Sequence, residues 1–150
     1  MKLFGFYLLL TIVFLSCDQN KIYSEYTSDF ENNRWDSNDT KNFSFTIEKD
    51  EVGDILLHLS HIYDYNFQMI PLQISIAFPD GHTEDIPINL EIKDANGKEL
   101  GECSGDICDL YYTFKSKIHL KKGKYNISIE NKKNIAYLPN ILGVGIKVKR

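Results

Sequence analysis

The sequence predicts an all-β protein, an antiparallel β-sandwich of immunoglobulin-like or jelly-roll type with about seven or eight strands. Apolar and polar residues alternate along most of the chain after residue 42, and the apolar positions are rich in Ile, Phe and Tyr, which is typical of half-buried strands. Clusters of Gly, Pro, Asn and Asp separate these runs, as turns do in sandwiches. No window after residue 17 has the period of an amphipathic helix, so the predicted fold class rests on strands.

The chain begins with a segment that has the layout of a secretory signal peptide. Lys2 precedes an uncharged run from residue 3 to residue 15, and Ser16 and Cys17 follow it. A membrane span needs about 20 apolar residues, so this run is short for one. The cysteine at the cleavage point resembles the lipobox of bacterial lipoproteins, in which the Cys carries the lipid. We predict a signal peptide over residues 1–16 and lipid attachment at Cys17, and a signal peptide cleaved elsewhere is the alternative.

Residues 17–41 are mostly polar and show no regular apolar period. We predict a lipid-anchored tether here, followed by an irregular segment that docks onto the domain through its aromatic side chains. Trp35 is predicted to anchor in the core, because large aromatic side chains contribute strongly to small cores. The β-sandwich domain is predicted over residues 42–150.

Within this domain, alternating or short apolar runs predict strands in a regular series. They cover residues 43–47, 55–59, 72–78, 86–92, 114–120, 125–129 and 142–148. Turns are predicted at Pro79-Asp80-Gly81, at Lys121-Lys122-Gly123 and at Asn96-Gly97, where both residues are expected at positive φ. Pro87 interrupts an alternating run, which predicts an edge strand or a bulge.

The charge pattern argues against one class of partner. The formal charge is −4, and it becomes −5 when Lys2 leaves with the signal peptide (−4 − 1). The Lys residues are scattered and form no basic stripe with interleaved aromatic residues, so no nucleic-acid binding is predicted. The acidity favours solubility and identifies no partner.

Cys103 and Cys108 remain once Cys17 is assigned to the lipid. In an oxidising envelope, two cysteines around a Gly-containing loop can close a small disulfide ring, and free thiols are the alternative. A redox-active CxxC motif is excluded, because four residues separate the two cysteines. A metal site needs about four ligands, and the neighbouring sequence offers neither a second cysteine pair nor a histidine. No metal is predicted.

The histidines and carboxylates form no catalytic pattern in the sequence. His58 and His61 are three residues apart on one predicted strand and point to opposite faces, while His82 falls in a turn and His119 on a solvent-facing position. All four are interpreted as solvated or incidental. The acidic residues fall in turns or on solvent faces, and neither a nucleophile motif nor a phosphate-binding loop is present. We expect a protein that is not an enzyme and needs no cofactor.

Tyrosines are the most suggestive candidate contact residues. Tyr63 and Tyr65 lie in a predicted loop between two strands, and Tyr111 and Tyr112 follow the cysteine pair. Tyrosines in the end loops of a sandwich are suited to contact protein partners or glycans. The alternative is that these rings fold back and cap the core.

An ordered set of motifs accompanies these features. A lipobox is followed by Ile22-Tyr23-x-x-Tyr26, Trp35, Phe43-x-Phe45, Tyr63-x-Tyr65-Asn66, Ile76-x-Phe78-Pro79-Asp80-Gly81, Gly97-x-x-x-Gly101, Lys122-Gly123-x-Tyr125 and Leu138-x-x-Ile141-Leu142-Gly143-Val144-Gly145-Ile146. In this order and at these spacings, the chain resembles the GldH family of gliding motility lipoproteins of the Bacteroidetes, from Cys17 to Val148. It departs from the family's pattern at Ser60-His61, at Asp64 and in its cysteine pair.

The resemblance implies a lipid-anchored, non-enzymatic component of the gliding machinery that is linked to type IX secretion. The implied partners are the membrane, through the lipid on Cys17, and other envelope proteins of that apparatus, with no small-molecule substrate. The alternative is a glycan-binding surface lipoprotein of a polysaccharide uptake system, in which the four candidate tyrosines stack on sugars. Only Asp18 is acidic before Lys21, whereas exported lipoproteins of these bacteria tend to carry an acidic cluster there. We therefore expect the protein on the periplasmic side of the outer membrane.

Overall fold

A computed structural model describes residues 20–150, and the predicted signal peptide and Cys17 lie outside the described residues. Among residues 20–150, no helix is long and apolar enough to cross a bilayer. One short 3-10 helix covers Glu31–Asn33. The strands are β1 Lys21–Thr27, β2 Arg34–Asp36, β3 Lys41–Ile47, β4 Glu51–Ile62, β5 Met69–Ala77, β6 Thr83–Glu91, β7 Glu102–Ser104, β8 Ile107–Leu120, β9 Gly123–Asn131, β10 Tyr137–Pro139 and β11 Ile141–Lys149.

These strands form two facing antiparallel sheets and a small ribbon. The first sheet has the order β1-β11-β4-β8-β7, the second has the order β3-β9-β5-β6, and β10 pairs with β2. The three shortest strands have three residues each, and the other eight have seven or more. Numbered along the chain, these eight lie in the orders 1-8-3-6 and 2-7-4-5, which is the jelly-roll arrangement of two Greek keys. The predicted β-sandwich is confirmed, and of its two predicted types the structure has the jelly roll.

The core lies between the inner faces of the two sheets. Alternate side chains of β5 are buried, and β9 repeats this pattern with Tyr125, Ile127 and Ile129. Trp35 is fully buried, and its indole Nε1–H donates to the carbonyl oxygen of Asp39 at 2.7 Å. Burial of this ring satisfies its polar atom as well as its apolar surface. The predicted role of Trp35 as a core anchor is confirmed.

The segment before residue 42 differs from its predicted irregular conformation. Residues Lys21–Thr27 form β1, which pairs with β11 along the edge of the five-stranded sheet. Most side chains of β1 remain at least partly exposed, so this edge strand lacks the alternation that a half-buried strand shows. The folded domain therefore begins at β1, and the prediction of an irregular docking segment is wrong for these residues.

The turns agree with the sequence except at one residue. Gly81 has φ +91° in the hairpin between β5 and β6, and Pro87 lies on β6, an edge strand whose register continues through it. At the Asn96-Gly97 turn only Gly97 has positive φ, +80°. The side chain of Asp94 stabilises a different turn from the expected one. Its carboxylate Oδ1 accepts hydrogen bonds from the backbone N–H of Asn96 at 2.8 Å and from that of Lys98 at 2.9 Å. This Asx-type turn holds Asn96 without a left-handed conformation.

Candidate functional site

The outer face of the five-stranded sheet carries a row of aromatic side chains that crosses four strands. Register aligns Tyr26 of β1 with Gly145 of β11, Gly145 with His58 of β4, and His58 with Tyr111 of β8. The ring centroids of Tyr26 and His58 are 4.9 Å apart, and those of His58 and Tyr111 are 4.3 Å apart and stacked. Tyr26 is 42% exposed and Tyr111 is 49% exposed. We call these three rings the aromatic row.

Two glycines of β11 make room for this row. A Cβ atom on Gly143 would lie 1.9 Å from the Tyr26 hydroxyl, and one on Gly145 would lie 3.2 Å from the Tyr26 Cβ. The Tyr26 ring therefore lies flat against the bare backbone of β11 instead of standing out from the sheet. The Gly-x-Gly spacing puts both glycines on the same face of the strand. Their lack of side chains brings Tyr26 next to His58 across an intervening strand.

His58 is held at the centre of the row by polar neighbours. Its Nε2 atom lies 2.8 Å from Asp109 Oδ1 and 3.3 Å from Ser60 Oγ, and the Ser60 hydroxyl donates to the same Asp109 oxygen. Burial tends to raise the pKa of the Asp109 carboxyl, but the hydrogen bonds from Ser60 and His58 outweigh it and hold the pKa below its ordinary value.

The Ser60, His58 and Asp109 set lacks the geometry of a catalytic relay. In a Ser-His-Asp triad the two ring nitrogens of the histidine contact different partners. One nitrogen takes the proton from serine, and the aspartate on the other nitrogen stabilises the imidazolium that forms. Here both Asp109 and Ser60 contact Nε2. The set orients the imidazole between its two tyrosines.

The structure separates the four candidate tyrosines. Tyr63 is 55% exposed and Tyr112 is 39% exposed, as expected for contact residues, and Tyr111 belongs to the aromatic row. Tyr111 and Tyr112 are consecutive on β8 and so point to opposite faces of the strand. Tyr65 is only 2% exposed, so the prediction that it is a contact residue is wrong.

Tyr65 is buried because it packs against other rings of the core. Its ring lies 5.2 Å from that of His61 and 5.9 Å from that of Phe67. Burial raises the pKa of the Tyr65 hydroxyl above its ordinary value. For this residue, the alternative that the loop tyrosines cap the core is the correct one.

Sequence reasoning missed Tyr26 and His58 as members of a surface site. They are 32 positions apart in the chain (58 − 26), and their contact depends on the register of β1, β11 and β4. The available signal was the Gly-x-Gly pair at residues 143 and 145, since glycine within a strand marks a close approach of another group.

The cysteine pair and one histidine lie together at the end of the same sheet. Cys103 and Cys108 are cross-strand neighbours on β7 and β8, joined as a disulfide. His61 is the cross-strand neighbour of Cys108 on the other side and is fully buried. The interpretation of all four histidines as solvated or incidental is therefore wrong for His61, because register places it in the interior, and for His58, because Asp109 and two tyrosine rings hold it in place.

The outer face of the four-stranded sheet has a different character. It forms a shallow groove of about 620 Å³ whose lining includes Asn42, Ser44, Ser75, Asn126 and Ser128. These short polar side chains come from β3, β5 and β9. The two outer faces of the sandwich thus differ, one carrying an aromatic row and the other small polar groups.

A jelly-roll domain that follows a lipobox-like cysteine has the architecture of a lipoprotein of the bacterial envelope. The sequence pattern of the GldH lipoprotein family matches residues 21–148, which begin with β1 and end within β11. The chain belongs to the GldH lipoprotein family. Its predicted fold, lipoprotein class and resemblance to GldH are confirmed, and the family is one of lipid-anchored envelope proteins.

Individual relatives agree with this assignment. The gliding motility lipoprotein GldH homolog of Christiangramia forsetii is 28% identical over 148 residues, which cover 93% of this chain and 90% of that protein. Gliding motility lipoprotein GldH of Flavobacterium johnsoniae is 24% identical over 127 residues, which cover 84% of this chain and 78% of that protein.

Among solved structures, a family 35 carbohydrate binding module from Clostridium thermocellum aligns with 85% of this chain and 90% of its own, at 13% identity and a TM-score of 0.42.

Proposed function

We propose that this protein is a non-enzymatic, lipid-anchored component of the gliding and type IX secretion machinery that binds other envelope proteins through the aromatic row. The lipid on Cys17 holds it to the outer membrane, with the domain facing the periplasm. Two relatives bear the name gliding motility lipoprotein. Their names support the part of the proposal that assigns this protein to the gliding machinery. The exposed rings of Tyr26 and Tyr111 contact His58 from either side, and this arrangement supports the aromatic row as the binding surface.

The composition of the aromatic row favours a protein partner. Tyrosine is enriched in the centres of protein interfaces, where polar groups form the surrounding rim. Here Asp109 and Ser60 lie directly beside the rings, and Lys147 lies on the same face two residues from Gly145. The rings are fixed by stacking and by hydrogen bonds to His58, so little conformational entropy is lost when a partner binds.

The glycan alternative requires exposed tyrosines that share a plane. Tyr111 and Tyr112 point to opposite faces of β8, and Tyr65 is buried. Tyr111 stacks on His58 and not on any of the other three tyrosines that were predicted to bind sugars. These positions favour the protein-binding proposal over a sugar platform built from those residues.

A site-specific cross-linking experiment tests the proposed surface. A photo-reactive phenylalanine analogue is placed at Tyr111 in the full-length protein and, as a matched control, at Asn126 on the outer face of the four-stranded sheet. We expect cross-links from position 111 to proteins of the gliding and secretion apparatus, identified by mass spectrometry, and none of these from position 126. Equal yields from both positions, or cross-links only to glycan transporters, contradict the proposal.

The lipid anchor is tested separately from the surface. We expect Cys17→Ala to move the protein from the membrane fraction to the soluble fraction of the envelope, because a protein without its acyl chains loses its hydrophobic attachment. Fractionation followed by immunoblotting measures this, with Cys103→Ser as a control that also removes a cysteine. Retention of the Cys17→Ala protein in the membrane contradicts lipid attachment at this residue.

A further inference from the structure

Three potential metal ligands lie together in the interior, beneath the strands that carry the aromatic row. The ligand atoms of His61, Glu99 and Cys108 all lie within 4.8 Å of one another. His61 and Cys108 are fully buried, and the Glu99 side chain is only 8% exposed. Cys103 is exposed on β7 and lies next to this group, because its sulfur is bonded to that of Cys108. Three residues of the types that bind zinc therefore converge in the interior, and a fourth is bonded to one of them.

His61 is oriented with a ring lone pair directed at Glu99. Its Nδ1 atom lies 3.0 Å from the carbonyl oxygen of Ile62, and a carbonyl only accepts hydrogen bonds, so Nδ1 carries the proton. In the neutral ring the other nitrogen, Nε2, then has a free lone pair. A backbone carbonyl that accepts from one ring nitrogen is the usual outer partner of a histidine whose other nitrogen binds a metal.

Glu99 faces His61 as a second acceptor. Its Oε1 atom accepts the backbone N–H of Tyr65 at 3.2 Å and lies 3.8 Å from Lys93 Nζ, which leaves Oε2 turned toward His61 Nε2 at 4.0 Å. Within the described residues, neither Oε2 nor Nε2 has a hydrogen-bond partner, and both atoms are buried. Buried polar atoms normally have a partner, so two acceptors that face each other here indicate a position for a cation.

We propose that His61, Glu99, Cys103 and Cys108 form a zinc site, which becomes able to bind the metal when the disulfide is reduced. A dithiol reductant supplies two electrons and two protons, which break the S–S bond and leave two thiols, while the reductant becomes a disulfide. Zinc then binds both sulfurs as thiolates, the two thiol protons leave, and His61 Nε2 and Glu99 Oε2 complete four ligands. In the oxidised form the sulfurs are bonded to each other and offer no thiolate.

The three buried ligand atoms need only a small contraction to reach a zinc complex, and the Cys103 sulfur must turn toward them once its bond to Cys108 is broken. With zinc–ligand distances of about 2.0–2.3 Å, tetrahedral geometry separates the N, O and S ligand atoms by roughly 3.3–3.8 Å. The present separation between His61 Nε2 and Glu99 Oε2 is 4.0 Å. A small shift of the Glu99 side chain that keeps the hydrogen bond from the Tyr65 N–H to Oε1 can bring Oε2 closer to His61 Nε2. The sequence argument against a metal, that no histidine lies near the cysteines, does not hold once β4 and β8 are paired.

Metal titration of the full mature protein tests this proposal, with Zn²⁺ and Co²⁺ as the probes. After reduction by a phosphine under anaerobic conditions, we expect one tightly bound Zn²⁺ per chain by competition with a chromophoric chelator. Co²⁺ should give thiolate-to-metal charge-transfer absorption and the visible spectrum of a tetrahedral site. The oxidised protein should show neither signal. Tight binding that is equal in the oxidised and reduced proteins contradicts the proposal.

Variants distinguish ligation from a general effect on folding. Glu99→Gln keeps an acceptor for the Tyr65 N–H and removes the carboxylate, and we expect it to weaken Zn²⁺ binding by more than the 10- to 100-fold typical of outer-shell changes. His119→Gln, at an exposed position of β8, should leave the affinity unchanged. Zn²⁺ should also raise the melting temperature of the reduced wild-type protein and not that of Glu99→Gln. An unchanged affinity in Glu99→Gln overturns the assignment of this ligand, and the absence of binding in the folded, reduced wild type overturns the site.

Discussion

Gly143 and Gly145 lie on the same face of β11 but meet different parts of β1. The nearest atom to a Cβ on Gly145 is the backbone oxygen of Glu25, at 2.5 Å, whereas a Cβ on Gly143 meets the outer end of the Tyr26 ring. A backbone atom cannot move without disturbing strand pairing, but an exposed ring can rotate. We therefore expect Gly145→Ala to lower the free energy of unfolding by about 1–3 kcal/mol, as measured by chemical denaturation.

Gly143→Ala is the matched control for that substitution. It should change stability by less than about 0.5 kcal/mol while displacing Tyr26 from His58, which nuclear magnetic resonance of the ring protons detects. The same variant should reduce cross-linking at the aromatic row. Equal destabilisation by the two alanines contradicts the role assigned to the Glu25 backbone.

Tyr65 and Tyr125 differ in how their buried hydroxyls are satisfied. Within the described chain the Tyr65 hydroxyl has no hydrogen-bond partner, whereas that of Tyr125 donates to the carbonyl oxygen of Lys121 at 3.1 Å. A buried polar group without a partner costs about 1–3 kcal/mol. We expect Tyr65→Phe to leave the free energy of unfolding at neutral pH unchanged or higher, and Tyr125→Phe to lower it by about 1 kcal/mol.

Alkaline titration is a second test of the burial of the Tyr65 hydroxyl. Burial raises the pKa of its hydroxyl in the folded state, while in the unfolded chain it ionises near pH 10. The stability contributed by the raised pKa is therefore fully present below about pH 10 and is lost as the pH rises above that value. Denaturation midpoints measured between neutral and strongly alkaline pH should fall less steeply for Tyr65→Phe than for the wild type. Parallel pH profiles would contradict burial of this hydroxyl.

Single-residue environments were the part of the candidate site that the sequence predicted least well. The exposure of Tyr63 and the burial of Tyr65 follow from loop conformation, which a two-residue spacing within a loop does not determine. His61 is buried beside Cys108 because β4 pairs with β8, and the sequence separation of 47 residues (108 − 61) hides this contact. Residue types were visible in the sequence, but their neighbours depended on strand register.

At the scale of elements, predictability followed burial. β5 and β9 alternate cleanly, because one face of each packs on the core, and both were predicted close to their observed bounds. β1 lies at a sheet edge with most of its side chains at least partly exposed, so its sequence carries little periodic signal. β8 begins at Ile107, seven residues before the predicted strand (114 − 107). Its first half has apolar residues on both faces, with Cys108 and Leu110 buried and Ile107 and Tyr111 exposed, so it lacks the apolar–polar alternation of a half-buried strand.

The turn from Asp94 to Lys98 permits a direct test of backbone conformation. Gly97 has φ +80° and Asn96 does not have positive φ, so only a side chain at Gly97 forces a left-handed residue to carry a Cβ. We expect Gly97→Val to destabilise the protein by about 1–2 kcal/mol and Asn96→Ala to have little effect, as measured by thermal denaturation. A comparable loss in Asn96→Ala would indicate that both residues adopt the primed-turn conformation.

At the scale of the whole molecule, the sandwich was predictable and its first strand was not. Alternation and turn residues determine how many half-buried strands the chain forms, and eight long strands in two sheets match the prediction. The jelly-roll order depends on which strands pair across long separations, such as β1 with β11. That pairing brings the beginning and the end of the domain together at one edge and places Tyr26 on the aromatic row.

Deletion of the N-terminal segment tests how much of the fold depends on this pairing. Removal of residues 1–19 leaves β1 intact, and we expect the resulting chain to fold with unchanged stability. Removal of residues 1–27 takes away β1, exposes the hydrogen-bonding edge of β11, and removes the Tyr23 ring that stacks on Phe45 at 5.0 Å. An uncovered edge strand pairs readily with other chains, so the longer deletion should lower the melting temperature and promote oligomers, as measured by calorimetry and size-exclusion chromatography. A monomeric protein of wild-type stability after the longer deletion would show that the fold does not depend on the pairing of β1 with β11.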